Sequence, residues 1–379
     1  RLLRAAGPAY ALRLARRLAA PVRDLGDELF AGDGAKLLLT GCALHTDLTP
    51  ETAGSGVYGW LLAMVGQQYG FPVPVGGAQR LTDALVSRLL ARGGRLECDA
   101  RVDRVVVGGG RALGVFTADG RSWRARRAVL ADVPAPILYR ELVGVRHLPP
   151  RLVEDLDAFR YDHPTLKVDW ALSEPVPWRD PATAGAGTVH LGGDLDGLTR
   201  YAADLAVGEC PQRPFLLVGQ MTTADPARSP AGTESLWAYT HLPASYAELG
   251  REHDKIAAQA ERIEQVLDEH APGFRARIVG RYVQGPADLA YDPGLPGGAV
   301  GGGTSAIFQQ LVFRPTPGLG RADTPIDRLY LAGSSAHPGG GVHGAPGANA
   351  ARAALARHGV VTGELYRAAI QGAYRRLMG

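Results

Sequence analysis
The segment Leu329-Tyr-Leu-Ala-Gly333, followed by Gly339-Gly-Gly-Val-His-Gly344-Ala-Pro-Gly347 and an alanine-rich run to Leu355, constrains this chain more than any other. Leu329, Tyr330 and Leu331 predict a short buried strand, and Gly333 a sharp turn at its end. Gly339, Gly340, Gly341, Gly344 and Gly347 let backbone approach a ligand closely, because no Cβ intervenes. Asn349–Leu355 predicts a helix. The first N–H groups of a helix are unpaired and carry partial positive charge, so they suit a phosphate or an electron-rich ring edge. A P-loop would need Gly-Lys-Ser/Thr, which is absent. Gly339, Gly341 and Gly344 do satisfy G-x-G-x-x-G, but the acidic residue expected ~20 positions later is missing, so the pattern alone is a weak dinucleotide fingerprint.

Upstream, Phe71-Pro-Val-Pro-Val-Gly-Gly-Ala78 is a stiff loop feeding a helix over Gln79–Arg92, with Leu81, Leu85, Leu89 and Leu90 at helical spacing and Gly93-Gly94 as its stop. Residues 95–131 read as a β-meander. Val102–Val107 and Ala112–Thr117 are strand-like, Gly108-Gly-Gly110 turns the chain, and Asp119-Gly120 predicts a type I′ hairpin turn. Ala128-Val-Leu-Ala-Asp132 completes the set. Residues 160–245 differ: Leu166, Val168, Trp170 and Leu172 alternate with more polar neighbours, and Phe215–Met221 and Ser235–Leu242 are further strands of an antiparallel sheet. Glu252–His270 predicts an amphipathic helix, and Arg1–Glu28 a basic one. These readings divide the chain into a helical cap region (1–70), a first nucleotide-domain part (71–135), a substrate domain (136–280) and a second nucleotide-domain part (281–379).

A net charge of +3 and the lack of a basic stripe argue against a nucleic-acid binder. Cys42, Cys98 and Cys210 are an odd set with no C-x-x-C, so a reducing, cytoplasmic setting is expected without a disulfide framework. No apolar run reaches the ~18 residues a membrane span needs. The basic N-terminal helix predicts a surface helix packed on the body; the alternative is docking at the inner face of a membrane. No His/Cys/Asp/Glu cluster has metal spacing, so no metal is expected. His343 is the candidate catalytic residue. His337 is expected to fix its loop by a backbone hydrogen bond, His45 to be a loop histidine and Arg314 to form a structural salt bridge. Asp169, Trp170 and Asp292 are expected to serve the substrate-domain fold, and Trp178 and Trp237 its core.

Leu329–Gly333, His337-Pro-Gly-Gly-Gly-Val342 and Gly344-Ala-Pro-Gly347 carry a family resemblance, with Pro74-Val-Gly-Gly77, the Val102–Asp132 meander, Lys167-Val-Asp-Trp170, Pro175-Val-Pro-Trp178 and Phe313-Arg-Pro315 in support. The chain resembles the phytoene desaturase-like branch of FAD-dependent oxidoreductases, relatives of the flavin amine oxidases. The resemblance implies an α/β fold: an FAD/NAD(P)-binding, glutathione reductase-like domain with a β-meander, plus an α+β substrate domain with an antiparallel sheet. It implies FAD as cofactor. Gly333 and Ser334 would lie along the ribityl–phosphate arm, and Gly341, Val342, Gly344 and Ala345 near the isoalloxazine. Val102 would meet the adenine, Ala131 and Asp132 would close the crevice, and Gly76 and Gly77 would approach the flavin or the substrate channel. The implied reaction is hydride removal from a small apolar, isoprenoid- or carotenoid-like substrate; the alternatives are amine oxidation and a non-catalytic scaffold. Family members begin with a strand–GxGxxG–helix unit. Residues 1–60 contain none, so a first βαβ unit of at least ~30 residues is expected to be missing.

Overall fold
Val102–Gly108 (β1), Arg111–Thr117 (β2) and Ser122–Arg124 (β3) form an antiparallel meander in the computed structural model, which describes residues 2–251, 253–291 and 294–378. Gly109 and Gly110 both have positive φ (56° and 69°), as a tight two-residue turn requires. At Asp119-Gly120 only Gly120 does (87°), so the expected type I′ turn does not form there. The Asp119 carboxylate instead accepts hydrogen bonds from the Thr117 hydroxyl and the Arg121 amide, which stabilises a wider turn. A return strand, Val129–Ala131 (β4), follows.

The second sheet has five strands: Thr165–Leu172 (β5), Thr188–Leu191 (β6), Leu216–Gln220 (β7), Glu234–His241 (β8) and Ile278–Gln284 (β9). Their order is β6-β7-β8-β5-β9, every pair antiparallel. Leu166, Val168, Trp170 and Leu172 of β5 share one face with Leu216, Val218, Leu236 and Ala238, as the period-2 alternation predicts. Helix Asp254–His270 covers that face with Ile256, Ala260, Ile263 and Leu267, all buried. Burial of each of the Ile and Leu side chains contributes about 1.5–3 kcal/mol to holding the helix on the sheet. The Trp170 indole N–H donates to Glu264 Oε1 at 2.9 Å, so its one polar atom is satisfied in the core. Trp178 packs at the edge of this core, and Trp237 stacks on Tyr239. Asp169 is paired with Lys167. Asp292 and Glu252 lie outside the described residues.

The last strand, Leu329–Leu331 (β10), is fully buried and pairs in parallel with β4. Contacts divide the chain into two units: Arg1–Leu96 with His163–Gly298, and Glu97–Asp162 with Ala299–Gly379. The unit boundaries fall at 96/97, 162/163 and 298/299. Helix Gln79–Leu90 groups with the five-stranded sheet instead of the meander, and none of its residues is buried. The single basic helix expected over Arg1–Glu28 is two, Leu2–Ala19 and Val22–Leu29, separated at Pro21, and the first breaks at Gly7 (φ 75°, ψ 164°). Among the described residues no helix is long and apolar enough to cross a membrane.

Candidate functional site
β4 and β10 run side by side and end at the same level, Ala131 opposite Leu331. The chain therefore leaves both strands together, at Asp132 and at Gly333, and the Ala332 amide donates to the Ala131 carbonyl at 2.8 Å. Gly333 is buried against this exit: a Cβ there would overlap Asp132 Oδ1 and come within 3.4 Å of the Asp132 carbonyl carbon. The loop beyond opens helix Ala345–Arg357 at Gly344, whose φ of 60° is left-handed. At the far end of that helix, Arg357 donates to both Asp327 oxygens at 2.8 and 3.0 Å. Burial pushes the Asp327 carboxyl up, but the Arg357 hydrogen bonds together with the charges of Arg357, Arg111 and Arg328 outweigh it and hold the group below its usual range. The helix is thereby fixed at its C-terminus to the start of the strand whose other end leads to its N-terminus.

A second glycine loop, Gly301–Thr304, lies against the first. A Cβ on Gly340 would sit 2.8 Å from the Gly301 carbonyl oxygen, and one on Gly302 would overlap the Ser334 hydroxyl. The loop has almost no side chains, so its peptide groups are held from outside. Asp162 accepts from the Gly301 and Gly303 amides at 2.7 and 3.0 Å. The buried Arg314 guanidinium donates to the carbonyls of Gly301, Gly303 and Thr304, and also to Ser334 of the first loop. Ser335 Oγ adds a hydrogen bond to the Gly302 carbonyl at 2.6 Å.

The structure brings most of the candidate residues into one unit. Ala131, Asp132, Gly333 and Ser334 stand at the strand ends. Gly341, Val342, His343 and Gly344 form an exposed rim, and Ala345 opens the helix. Val102 belongs to the same unit, at the start of β1 opposite Thr117. Gly76 and Gly77 belong to the other unit. There the Gly76 amide donates to Asp225 Oδ2 at 2.7 Å, and the Arg228 guanidinium covers Gly77 where a Cβ would be. The ring of His337 does not make the expected loop-fixing bond: its Nδ1 is buried with no hydrogen-bond partner among the described residues, and the His337 carbonyl accepts from Asn349 Nδ2 instead. Arg314 works on carbonyls, a role its position before Pro315 does not reveal. The Gly301-Gly-Gly303 run was a visible signal for the second loop, but its Asp162 clamp was not.

His343 Nδ1 accepts from the Ala345 amide at 3.0 Å, so the ring caps the helix start. His343→Ala is therefore expected to cost about 0.5–1 kcal/mol in urea unfolding, and His343→Asn, which can still accept, at most a few tenths. Equal losses for both would remove the capping role.

A parallel strand pair with a meander and a glycine loop opening a helix, beside a separate antiparallel sheet, make up an α/β fold. The chain belongs to the flavin containing amine oxidoreductase family, whose model matches residues 11–355. It is 29% identical over 350 residues to rat (Rattus norvegicus) "pyridine nucleotide-disulfide oxidoreductase domain-containing protein 2", covering 88% of this chain and 60% of that protein. It is 25% identical over 303 residues to the lycopene-forming phytoene desaturase of Pseudescherichia vulneris, covering 78% and 58%. The chain thus spans about three fifths of the curated relatives it matches. Among solved structures, an oxidoreductase from Methanosarcina mazei aligns with a TM-score of 0.59 at 17% identity, over 92% of this chain and 71% of that one. An engineered putrescine oxidase aligns with 0.57 at 18%, over 92% and 70%. Both likenesses concern the fold.

The cofactor of the family is a flavin, FAD. The residues present fit its ring end. A Cβ on Gly344 would meet nothing within 4 Å and Val342 is 94% exposed, so the rim before the helix is open to a ligand, while the Ala345 amide itself is taken by His343. Residues 2–60 are helices and their connections, with no strand–GxGxxG–helix cradle for the pyrophosphate among them.

Proposed function
We propose that this chain is the flavin-holding and substrate-bearing part of a dehydrogenase acting on an apolar, isoprenoid-like substrate. The observation that carries the reading is the open glycine rim at the start of helix Ala345–Arg357, set beyond two parallel strands that end together. In this reading Ala131, Asp132, Gly333 and Ser334 hold the ribityl–phosphate arm. Gly341, Val342, Gly344 and Ala345 hold the ring, and Val102 the adenine. The bound flavin supplies a hydride acceptor. The chain's own part is to orient it: the helix N-terminus favours negative charge on the ring's edge, and the two clamped glycine loops keep the backbone rigid behind it. His343 spends Nδ1 on the helix cap, which leaves Nε2 to exchange a proton with bound substrate. The apolar substrate rests on the similarity to proteins named as phytoene desaturases.

Amine oxidation is the second reading. The family description favours it. The test is the visible spectrum of the purified protein, followed by anaerobic mixing with a long acyclic polyene or a primary amine. Bleaching by the polyene alone is the expected result. Bleaching by the amine alone moves the assignment to amine oxidation. A protein that neither carries flavin nor takes it up is a scaffold, and the proposal falls.

A further inference from the structure
Four of the ten histidines, His45, His163, His190 and His241, gather in the unit that contains the five-stranded sheet. His45 lies on the connection between helices Asp33–Ala43 and Ser55–Tyr69, and its Nε2 is 2.9 Å from Nε2 of His190 on β6. The His190 ring is wedged between Phe215 and the backbone of Gly41, where a Cβ would overlap its Nδ1. His241 ends β8. It is only 6% exposed, and neither ring nitrogen has a hydrogen-bond partner among the described residues. Its strand partner Thr165 also buries an unpartnered hydroxyl. A dry, unsatisfied polar group costs about 1–3 kcal/mol and calls for a reason.

We propose that this cluster is a proton-operated latch: uncharged, it holds the connection over residues 44–54 on the sheet, and proton uptake releases that connection. The His45–His190 bond needs one N–H and one lone pair. It survives a single shared proton but not two. A charged His241 would carry two N–H groups into a buried site where neither ring nitrogen is hydrogen-bonded among the described residues, and where only the backbone of His163 and the Asp47 carboxylate favour the charge. The groups around it are Asp47 from the connection, His163 and the Lys167–Asp169 pair on the β5 side, Tyr239 from β8, and Tyr201, whose hydroxyl accepts from the His241 amide. Of these, Asp47 and the backbone of His163 favour the charged form, and the His163 ring opposes it. Burial prevails and pushes His241 down to about 4. His45 is also lowered to about 4, first by burial and then by His190 and His241, although the residue is solvent-exposed.

The sign follows. The latched form holds the lower value, and the released histidine titrates near 6.5. Latching is therefore complete above about pH 6.5 and is lost as the pH falls toward 4. His241 alone should raise the released population about thirtyfold between pH 8 and pH 5. Hydrogen exchange of the full chain, corrected for the intrinsic pH dependence, reads this directly in peptides covering 44–54. Those peptides should lose protection on acidification while helix Asp254–His270 keeps it. His241→Phe removes only unsatisfied nitrogens, so it should fold and should remove the roughly thirtyfold share that His241 contributes, leaving only the share of His45. Simultaneous loss of protection in helix Asp254–His270 would mean plain acid unfolding and overturn the latch. An undiminished response in His241→Phe, or no response in the wild-type chain, would overturn it equally.

Discussion
Replacing Arg314 by alanine will destabilise the unit that contains the meander by about 3–5 kcal/mol, enough to unfold a marginally stable domain. The side chain is 1% exposed, and its guanidinium reaches four carbonyls. The shortest bonds are 2.7 Å to Ser334 and 2.9 Å to Thr304. Three of the acceptors lie on a loop of three glycines and a threonine, which has no apolar side chains with which to hold itself. Without Arg314 these carbonyls stay buried and unpaired, at about 1–3 kcal/mol each before relaxation. Arg314→Lys keeps the charge but not the planar fork of five donors, so it should recover no more than half the loss. Urea unfolding followed by far-UV circular dichroism measures both variants. A lysine variant as stable as the wild type would show that charge, not geometry, is what the loop needs. The same variants should also lose bound flavin in proportion to the unfolded fraction, since Arg314 joins the two glycine loops that back the proposed ring site.

This clamp marks where sequence reading stops. The tail strand, its glycine turn and the following helix were legible because glycine, a short apolar run and an alanine-rich stretch are each local signals. β5, β7 and β8 were legible for the same reason: burial on one face writes itself into alternation. β6 is only four residues long and lies in a stretch of glycine, alanine and threonine, so no period could develop. β9 is an edge strand with a largely exposed middle, and its pattern is correspondingly weak. Helix Leu195–Val207 carries local signals as well, an N-terminal Asp194 that accepts from the Gly197 amide and a left-handed Gly208 at its end. Asp162 meets the Gly301 and Gly303 amides across about 140 residues of chain, and His45 meets His190 across 145. No spacing rule reaches that far, because such contacts follow from topology rather than from local period. The residues that build the site by backbone shape were thus readable, and the residues that hold that shape were not.

Asp162→Ala is expected to cost about 2–4 kcal/mol, and its effect should overlap with that of Arg314→Ala. The Asp162 carboxylate is nearly buried, and its two oxygens each accept one glycine amide. Charge-assisted bonds of this kind are stronger than neutral ones, and their loss leaves two buried amides without partners. Asp162→Asn keeps one acceptor oxygen and should lose about half as much. Asp162 grips the N–H side of the loop at Gly301 and Gly303, while Arg314 grips the C=O side of the same two residues. Once either grip is released the loop can turn its peptide groups to solvent, and the second grip has less left to hold. The double variant should therefore be more stable than the sum of the single losses implies, by about 1–2 kcal/mol. Strict additivity within about 0.3 kcal/mol would mean that the two side chains act on independent structures, and that the loop is held by its packing against Gly340 and Ser334 instead.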